Sequence, residues 1–181
     1  MNRQVDGVGL LPASISISDP DPFSFGVSPQ NGEFPHTFTL TNSGQVDATG
    51  LTGTGLGLPF EFSGGSFPGG VGTCPAAGNL APLTTCTIVV DYEPVALGLD
   101  SDILEVTYND GASNQVETKE LIGNSVSPAN LALSGSDPLD FSNVTEGAVV
   151  QRTLTLTNLG SFPASSIVAP ILTLPLSLIH I

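Results

Sequence analysis

Residues 36–44 read HTFTLTNSG, and residues 152–160 read RTLTLTNLG. Phe38 and Leu40 alternate with threonines, which is the period-two pattern of a strand with one apolar face. The motif DPFSF at residues 21–25 returns as DPLDF at residues 137–141, and both pairs of motifs are 116 residues apart. Because one spacing holds without a gap, we predict that the chain is a tandem repeat.

The repeat divides the 181 residues into units. We predict the first unit at residues 13–126, a linker at residues 127–130 and the early part of a second unit at residues 131–175. Residues 1–12 are interpreted as a linker, or as the product of an internal methionine used as the gene start. Residues 176–181 read LSLIHI, the translation expected of a sequencing adaptor, and are interpreted as a scar. The alternative for them is a genuine apolar strand end.

Further apolar rows with the same period predict the other long strands: Cys86, Ile88, Val90 and Tyr92, and then Leu104, Val106 and Tyr108. Asp110 and Gly111 predict a tight turn after the last row, with residues 116–122 returning as its hairpin partner. Shorter strands are expected at residues 14–18, 23–25, 48–54 and 59–63. No stretch keeps a 3.6-residue period, so helix should be nearly absent.

This pattern indicates the fold class. Seven or more short strands with a turn signal about every 8 to 12 residues are typical of an immunoglobulin-like β-sandwich. We therefore predict an all-β fold, an Ig-like sandwich in tandem with one complete unit and a truncated second unit. The chain has no Trp, and its two cysteines are too close in sequence for an antibody-type bridge between sheets.

Residues 23–26 (FSFG), 36–44 and 86–94 (CTIVVDYEP) carry a family resemblance. In combination they resemble the repeats of bacterial choice-of-anchor D proteins, which belong to the Hydin/ASPM-type (ASH) Ig-like domains related to major sperm protein. The resemblance covers nearly all of the first unit and half of the second. It implies a repeated module of long secreted or surface chains in Gram-negative bacteria, whereas the eukaryotic members act in cilia and centrosomes. It implies no catalytic residue and no cofactor.

The charge of the chain excludes several classes of partner. Lys and Arg number 3 against 17 Asp and Glu, so the net charge is −14. Such a surface repels phosphate backbones and anionic headgroups, so we expect no nucleic-acid partner. The sequence also has no apolar window long enough to span a bilayer, so we expect no direct membrane insertion.

Cys74 and Cys86 are the two cysteines of the chain. In an oxidising compartment a bridge between them would close a short loop and contribute about 3 kcal/mol. Their spacing lacks the C-x-x-C pattern of redox motifs, and no second pair is present for zinc. The alternative is two free thiols with Cys86 buried.

Clustered loop carboxylates are the weak metal candidates. Asp19 and Asp21 precede a predicted strand, and Asp100 and Asp102 lie at the start of another. Carboxylates of this kind can bind Ca²⁺, but the chain contains no EF-hand loop, so turn chemistry is the favoured interpretation. No metal site is therefore assigned.

Catalysis has few candidates. A nucleophile needs a base, and His36 is the one histidine outside residues 176–181; we expect it to face outward as a solvated strand residue. Paired carboxylates for glycoside hydrolysis remain open because several glutamates lie on predicted strands: Glu61, Glu93, Glu105 and Glu117. With no Trp for sugar stacking, we expect no enzyme activity.

The sequence therefore favours a non-catalytic structural or adhesive module of a large bacterial protein, located outside the cell or on its surface. Its expected partners are neighbouring Ig-like repeats of the same chain, with other surface proteins or glycans as further candidates. The alternative is an intracellular interaction module of the ciliary or centrosomal type. A tubulin binder needs a basic patch, and the three basic residues are Arg3, Lys119 and Arg152.

Overall fold

The computed structural model describes residues 3–4 and 6–169, which divide into two units between Val126 and Ser127. The interpretation of residues 176–181, and the end of the predicted second unit at residues 170–175, lie outside the described residues. Among the described residues, no helix has the length and apolar character needed to cross a membrane.

The first unit is built from nine strands and a short 3-10 helix at Ser63–Gly65. The strands are β1 (Ile15–Ile17), β2 (Phe23–Pro29), β3 (Phe34–Asn42), β4 (Ala48–Thr54), β5 (Phe60–Phe62), β6 (Gly78–Leu80), β7 (Thr85–Tyr92), β8 (Gly98–Asn109) and β9 (Asn114–Val126). The prediction of an all-β unit is confirmed. β6 was not predicted, because its sequence Gly-Asn-Leu has no β-branched or alternating residue.

These strands form two sheets, ordered β1-β3-β7-β5 and β2-β9-β8-β4-β6. All neighbours are antiparallel except β2 and β9, which are parallel. The predicted hairpin is β8–β9, paired from Gly98 to Asn109. Its turn is held by Asp110, whose Oδ1 accepts from the backbone N–H groups of Ala112 and Ser113, both at 2.7 Å.

The predicted apolar rows meet between the two sheets. Phe38, Leu40, Ile88 and Val90 from the first sheet, and Leu104, Val106 and Leu121 from the second, are fully buried in one cluster. One polar group inside this layer is paired across the sandwich, because the hydroxyl of Tyr92 donates to Oδ2 of Asp100 at 2.7 Å. Burial of the apolar rows is the main source of stability in such a fold.

One detail of the period-two prediction is wrong. Val89 and Asp91 alternate with the core row of β7, and a period-two pattern with one apolar face puts such residues on the solvated face, yet they are only 5% and 2% exposed. β7 lies in the centre of its sheet, and Asp91 is flanked in register by Pro35 of β3 and Glu61 of β5. At Val89 and Asp91 the face of β7 opposite the core is thus buried as well.

The second unit contains the strands β10 (Leu131–Leu133) and β11 (Leu156–Asn158). Leu131 is paired with Asn158 and Leu133 with Leu156, which is the register of β1 with β3 displaced by 116 residues. Two residues of the predicted linker at 127–130 already bond within this unit, because Ser127 O accepts from Ser161 N–H and Asn130 O accepts from Leu159 N–H.

The two strand pairs differ in their coverage. Leu131 and Leu156 are 43% and 45% exposed, whereas their first-unit counterparts Ile15 and Leu40 are 4% and 0% exposed. The second unit, as far as it is described, thus has the pairing of the first without its buried interior.

Candidate functional site

Cys74 and Cys86 form the predicted disulfide, with their Cα atoms 4.8 Å apart. Both cysteines are buried against the core. Next to the bridge, Thr73 N–H donates to Thr87 O and Thr87 N–H donates to Thr73 Oγ1, each at 2.9 Å. The segment before β6 is therefore fixed to β7 by a covalent link and by hydrogen bonds. A disulfide is consistent with an oxidising compartment.

Asp19 and Asp21 serve the loop between β1 and β2. Oδ2 of Asp19 accepts from the Ser18 hydroxyl at 2.6 Å, and this bond, together with nearby His36, lowers the pKa of Asp19. Oδ1 of Asp21 accepts from Glu120 N–H at 2.9 Å. The ammonium group of Lys119, a buried side chain on β9, donates to the carbonyl oxygens of Asp19 and Pro20.

Asp100 and Asp102, like Asp19 and Asp21, accept hydrogen bonds from groups of the first unit. Asp100 accepts the hydrogen bond from Tyr92, and burial together with this carboxylate raises the pKa of the phenol. Asp102 accepts from Gly57 N–H and from Ile103 N–H, both at 2.8 Å. Within the described residues, none of the four candidate aspartates belongs to a group of three or more metal-ligating side chains.

His36 faces inward, so the expectation that it is a solvated outward residue is wrong. Its ring stacks on Phe23 with centroids 4.0 Å apart and meets Phe38 edge-on at 4.7 Å. Its Nε2 lies 3.4 Å from Oδ2 of Asp19, and each side chain is 32% exposed. The residue closes the edge of the core beside the β1–β2 loop.

The four strand-borne glutamates do not share one site. Glu61 lies on β5 and Glu93 directly follows β7, whereas Glu105 and Glu117 lie on β8 and β9 of the other sheet. Burial raises the pKa of Glu117, and Asp21 adds to this while Lys119 opposes it.

A group that the sequence did not reveal lies where β3 begins and β7 ends. Glu33, Asp91 and Glu93 each place one carboxylate oxygen so that all three lie within 4.8 Å of one another. We call these three residues the acidic cluster. Partial burial, followed by the charges of Glu61, Glu33 and Asp91, raises the pKa of Glu93. Glu33 and Asp91 are far apart in sequence, and only the β3–β7 register brings them together.

Asn42 forms a polar corner that ties the end of β3 to three other segments. Its Oδ1 accepts from Ser14 N–H and Gly44 N–H, and its Nδ2 donates to Val46 O and Leu80 O. We call this arrangement the asparagine corner. Asn42 is fully buried, so its side chain is needed to satisfy these backbone groups.

The asparagine corner is found again in the second unit. Oδ1 of Asn158 accepts from Asn130 N–H and Gly160 N–H, and Nδ2 donates to Phe162 O. Each of these partners lies 116 residues after its counterpart in the first unit. A feature visible in sequence only as the motif Thr-Asn-x-Gly is thus a defined set of hydrogen bonds.

The two facing sheets define an immunoglobulin-like sandwich. Comparison with solved structures found similar chains at low sequence identity. The ASH/PapD-like domain of human CEP192 (PapD-like domain 7) is 15% identical with a TM-score of 0.49, over 70% of this chain and 96% of that chain. The VesB protease of Vibrio cholerae is 18% identical with a TM-score of 0.46, over 62% of this chain and 32% of that chain.

A family 123 glycoside hydrolase from Clostridium perfringens is 10% identical with a TM-score of 0.47, over 65% of this chain and 28% of that chain. This chain spans less than a third of either enzyme, whose activities are stated of those proteins alone. Comparisons with protein-family models and with curated proteins found no match.

Proposed function

We propose that residues 13–126 are a non-catalytic, repeated Ig-like module of a large bacterial secreted or cell-surface protein, acting as a spacer, stalk or adhesive scaffold. The observation that carries this proposal is the recurrence of the asparagine corner, with the same strand register, 116 residues along the chain. A unit that repeats its own folding contacts is suited to serial arrays, in which neighbouring repeats of the chain are the first partners.

The proposed location outside the cell or on its surface is supported by the disulfide between Cys74 and Cys86, since disulfides persist in oxidising surroundings and are rare in the cytosol. The net charge of −14 keeps such a chain soluble and suppresses unspecific adhesion. Other surface proteins or glycans are the further partners that we propose.

The non-catalytic part of the proposal is supported by the contacts of the candidate residues. His36 stacks on Phe23 and meets Phe38 edge-on, and Asp100 and Asp102 accept hydrogen bonds from other groups of the first unit. These contacts hold the fold together, as expected for structural side chains.

Small-angle scattering on chains of one, two and four copies of residues 11–126 tests the spacer function. The longest strand, β9, has 13 residues, which corresponds to about 43 Å at about 3.3 Å per residue. Each copy should therefore add about 40 Å to the maximum dimension. A four-copy chain no longer than a two-copy chain would exclude a spacer.

The alternative, an intracellular interaction module of the ciliary or centrosomal type, is opposed by the disulfide and by the small number of basic residues. Sedimentation with microtubules separates the two functions. The surface module should stay in the supernatant at physiological salt, whereas saturable co-sedimentation would favour the intracellular function.

A further inference from the structure

The acidic cluster is built by strand pairing at one end of the β1-β3-β7-β5 sheet. Asp91 is the Cα partner of Pro35 on β3 and of Glu61 on β5. Side chains alternate along a strand, so the side chains at 33, 35, 61, 91 and 93 share the face opposite the core. Phe34 is paired with Tyr92, and extending this register by one residue sets Glu33 opposite Glu93. Asn31 N–H, which donates to Pro94 O at 2.8 Å, holds the preceding turn to the segment after β7.

Asp91 is the unusual member of this group. Its side chain is 2% exposed, and Oδ1 has no hydrogen-bond partner among the described residues. A buried carboxylate oxygen without a donor is strongly unfavourable, because it has lost its water and gained nothing in return. Two further carboxylates within 4.8 Å add repulsion, since like charges on paired strands destabilise a sheet.

The described protein chain provides no positive charge to this group. The one lysine, Lys119, lies on the other sheet and donates to the loop carbonyls of Asp19 and Pro20. The one ion pair among the described residues joins His36 to Asp19. Besides uptake of a proton, which the raised pKa of Glu93 favours, an external cation can compensate the charge.

We propose that Glu33, Asp91 and Glu93 form a Ca²⁺ site that joins the start of β3 to the end of β7. The three carboxylates supply hard oxygen ligands, and Glu61, opposite Asp91, brings a fourth negative charge to the same face. This inference does not depend on the proposed spacer function, because a cation can hold this sheet end in any setting.

The ligand chemistry selects calcium among the common cations. Zinc favours His and Cys ligands, and the acidic cluster contains neither. Magnesium requires near-ideal octahedral geometry and usually keeps its water with one or two carboxylates, whereas calcium accepts six to eight oxygens in irregular arrangements. The acidic cluster combines Asp91 on β7 with Glu93 and Glu33, which lie just outside β7 and β3. An irregular set of three carboxylates of this kind suits calcium better than magnesium.

The test uses the full 181-residue chain, freed of metal with a chelator and kept at constant ionic strength. Titration calorimetry with CaCl₂ should show one site with a Kd in the range of about 10⁻⁴ to 10⁻³ M, typical of extracellular modules. Thermal unfolding at ten times the Kd should shift upward by about 5 °C.

Variants locate the site. Glu33→Gln removes one ligand at an exposed position and should weaken the Kd for Ca²⁺ at least about tenfold. Glu93→Gln should weaken the Kd for Ca²⁺ to a similar extent, which would show that the loss is not peculiar to the substitution at residue 33. Glu120→Gln, an equal change of charge at an exposed position on β9, is the matched control and should bind Ca²⁺ like the parent.

Three results would overturn the proposal. The first is no heat and no melting shift at about 10 mM Ca²⁺, ten times the upper end of the range. The second is a Glu33→Gln protein, folded by circular dichroism, that binds as the parent does. The third is an equal melting shift with Mg²⁺ and Ca²⁺ in the parent, which would indicate general screening of the acidic surface.

Discussion

Asn158 makes, within its own unit, three of the four side-chain hydrogen bonds that Asn42 makes in the first unit. The fourth bond of Asn42 goes to Leu80 O on β6 and is the one that reaches into the other sheet. In both units the asparagine corner thus fixes the turn after a strand to the segment that precedes its partner strand, and in the first unit it is also linked across the sandwich.

Asn42→Ala should destabilise the protein by about 3 kcal/mol, because it leaves several buried backbone groups without partners and each such group costs about 1–3 kcal/mol. Urea denaturation followed by circular dichroism measures the loss. Asn114→Ala, at an exposed strand end, is the control and should change stability by no more than about 0.5 kcal/mol. Equal losses in the two variants would show that the corner has no special role.

Gly123→Ala should destabilise the sandwich by about 1–3 kcal/mol through overpacking. A Cβ at Gly123 would lie 2.6 Å from Cε1 and 2.8 Å from the hydroxyl oxygen of Tyr92. The ring would have to move away from Asp100 and break their hydrogen bond. Gly9→Ala, where an added Cβ meets no atom within 4 Å, serves as the control. A folded Gly123→Ala protein with unchanged stability would contradict the packing described for Tyr92.

Removing the disulfide with the double variant Cys74→Ala, Cys86→Ala should lower the free energy of unfolding by about 3 kcal/mol. A reductant should produce a similar loss in the parent protein and none in the variant. Mass spectrometry after alkylation without reduction checks the bond itself. Two alkylated thiols in protein made in an oxidising compartment would refute the bridge.

Glu93→Gln should stabilise the chelator-treated protein at pH 7. A carboxyl whose pKa is raised in the folded state binds its proton more tightly when folded. Its contribution to stability is therefore present below the ordinary value of 4.5 and is lost as the pH rises through the raised pKa. The difference between Glu93→Gln and the parent should vanish below about pH 4.5 in urea titrations. A variant that is less stable than the parent at pH 7 without calcium would contradict this.

The core rows could be predicted where a strand alternates apolar residues with threonine or charge. Phe38 and Leu40 on β3 and Val106 on β8 are examples, and all three are fully buried. A period-two pattern states which residues share a face, and the apolar face of a sheet has to find a partner. The β8–β9 hairpin and the disulfide could also be predicted, because each joins residues that are close in sequence.

Features set by long-range register could not be predicted. The sequence does not show that Pro35 pairs with Asp91. This register brings Glu33, Asp91 and Glu93 together in the acidic cluster. The inward position of His36, by contrast, could have been predicted, because the period-two pattern puts residue 36 on the same face as Phe38 and Leu40. It continues the inward row of Phe38 at the edge of the sheet, where the ring of Phe23, from another strand, gives it a surface for stacking.

Native-state hydrogen exchange on the full chain tests the central claim most directly, namely that the buried interior between the sheets, more than the hydrogen bonds of the corner, stabilises the module. Thr39 N–H donates to Ser18 Oγ and Thr155 N–H donates to Ser134 Oγ, so the two amides have equivalent bonds but differ in the apolar cover beside them. Thr39 should exchange at least about 100-fold more slowly than Thr155. Equal protection of the two amides would contradict the account.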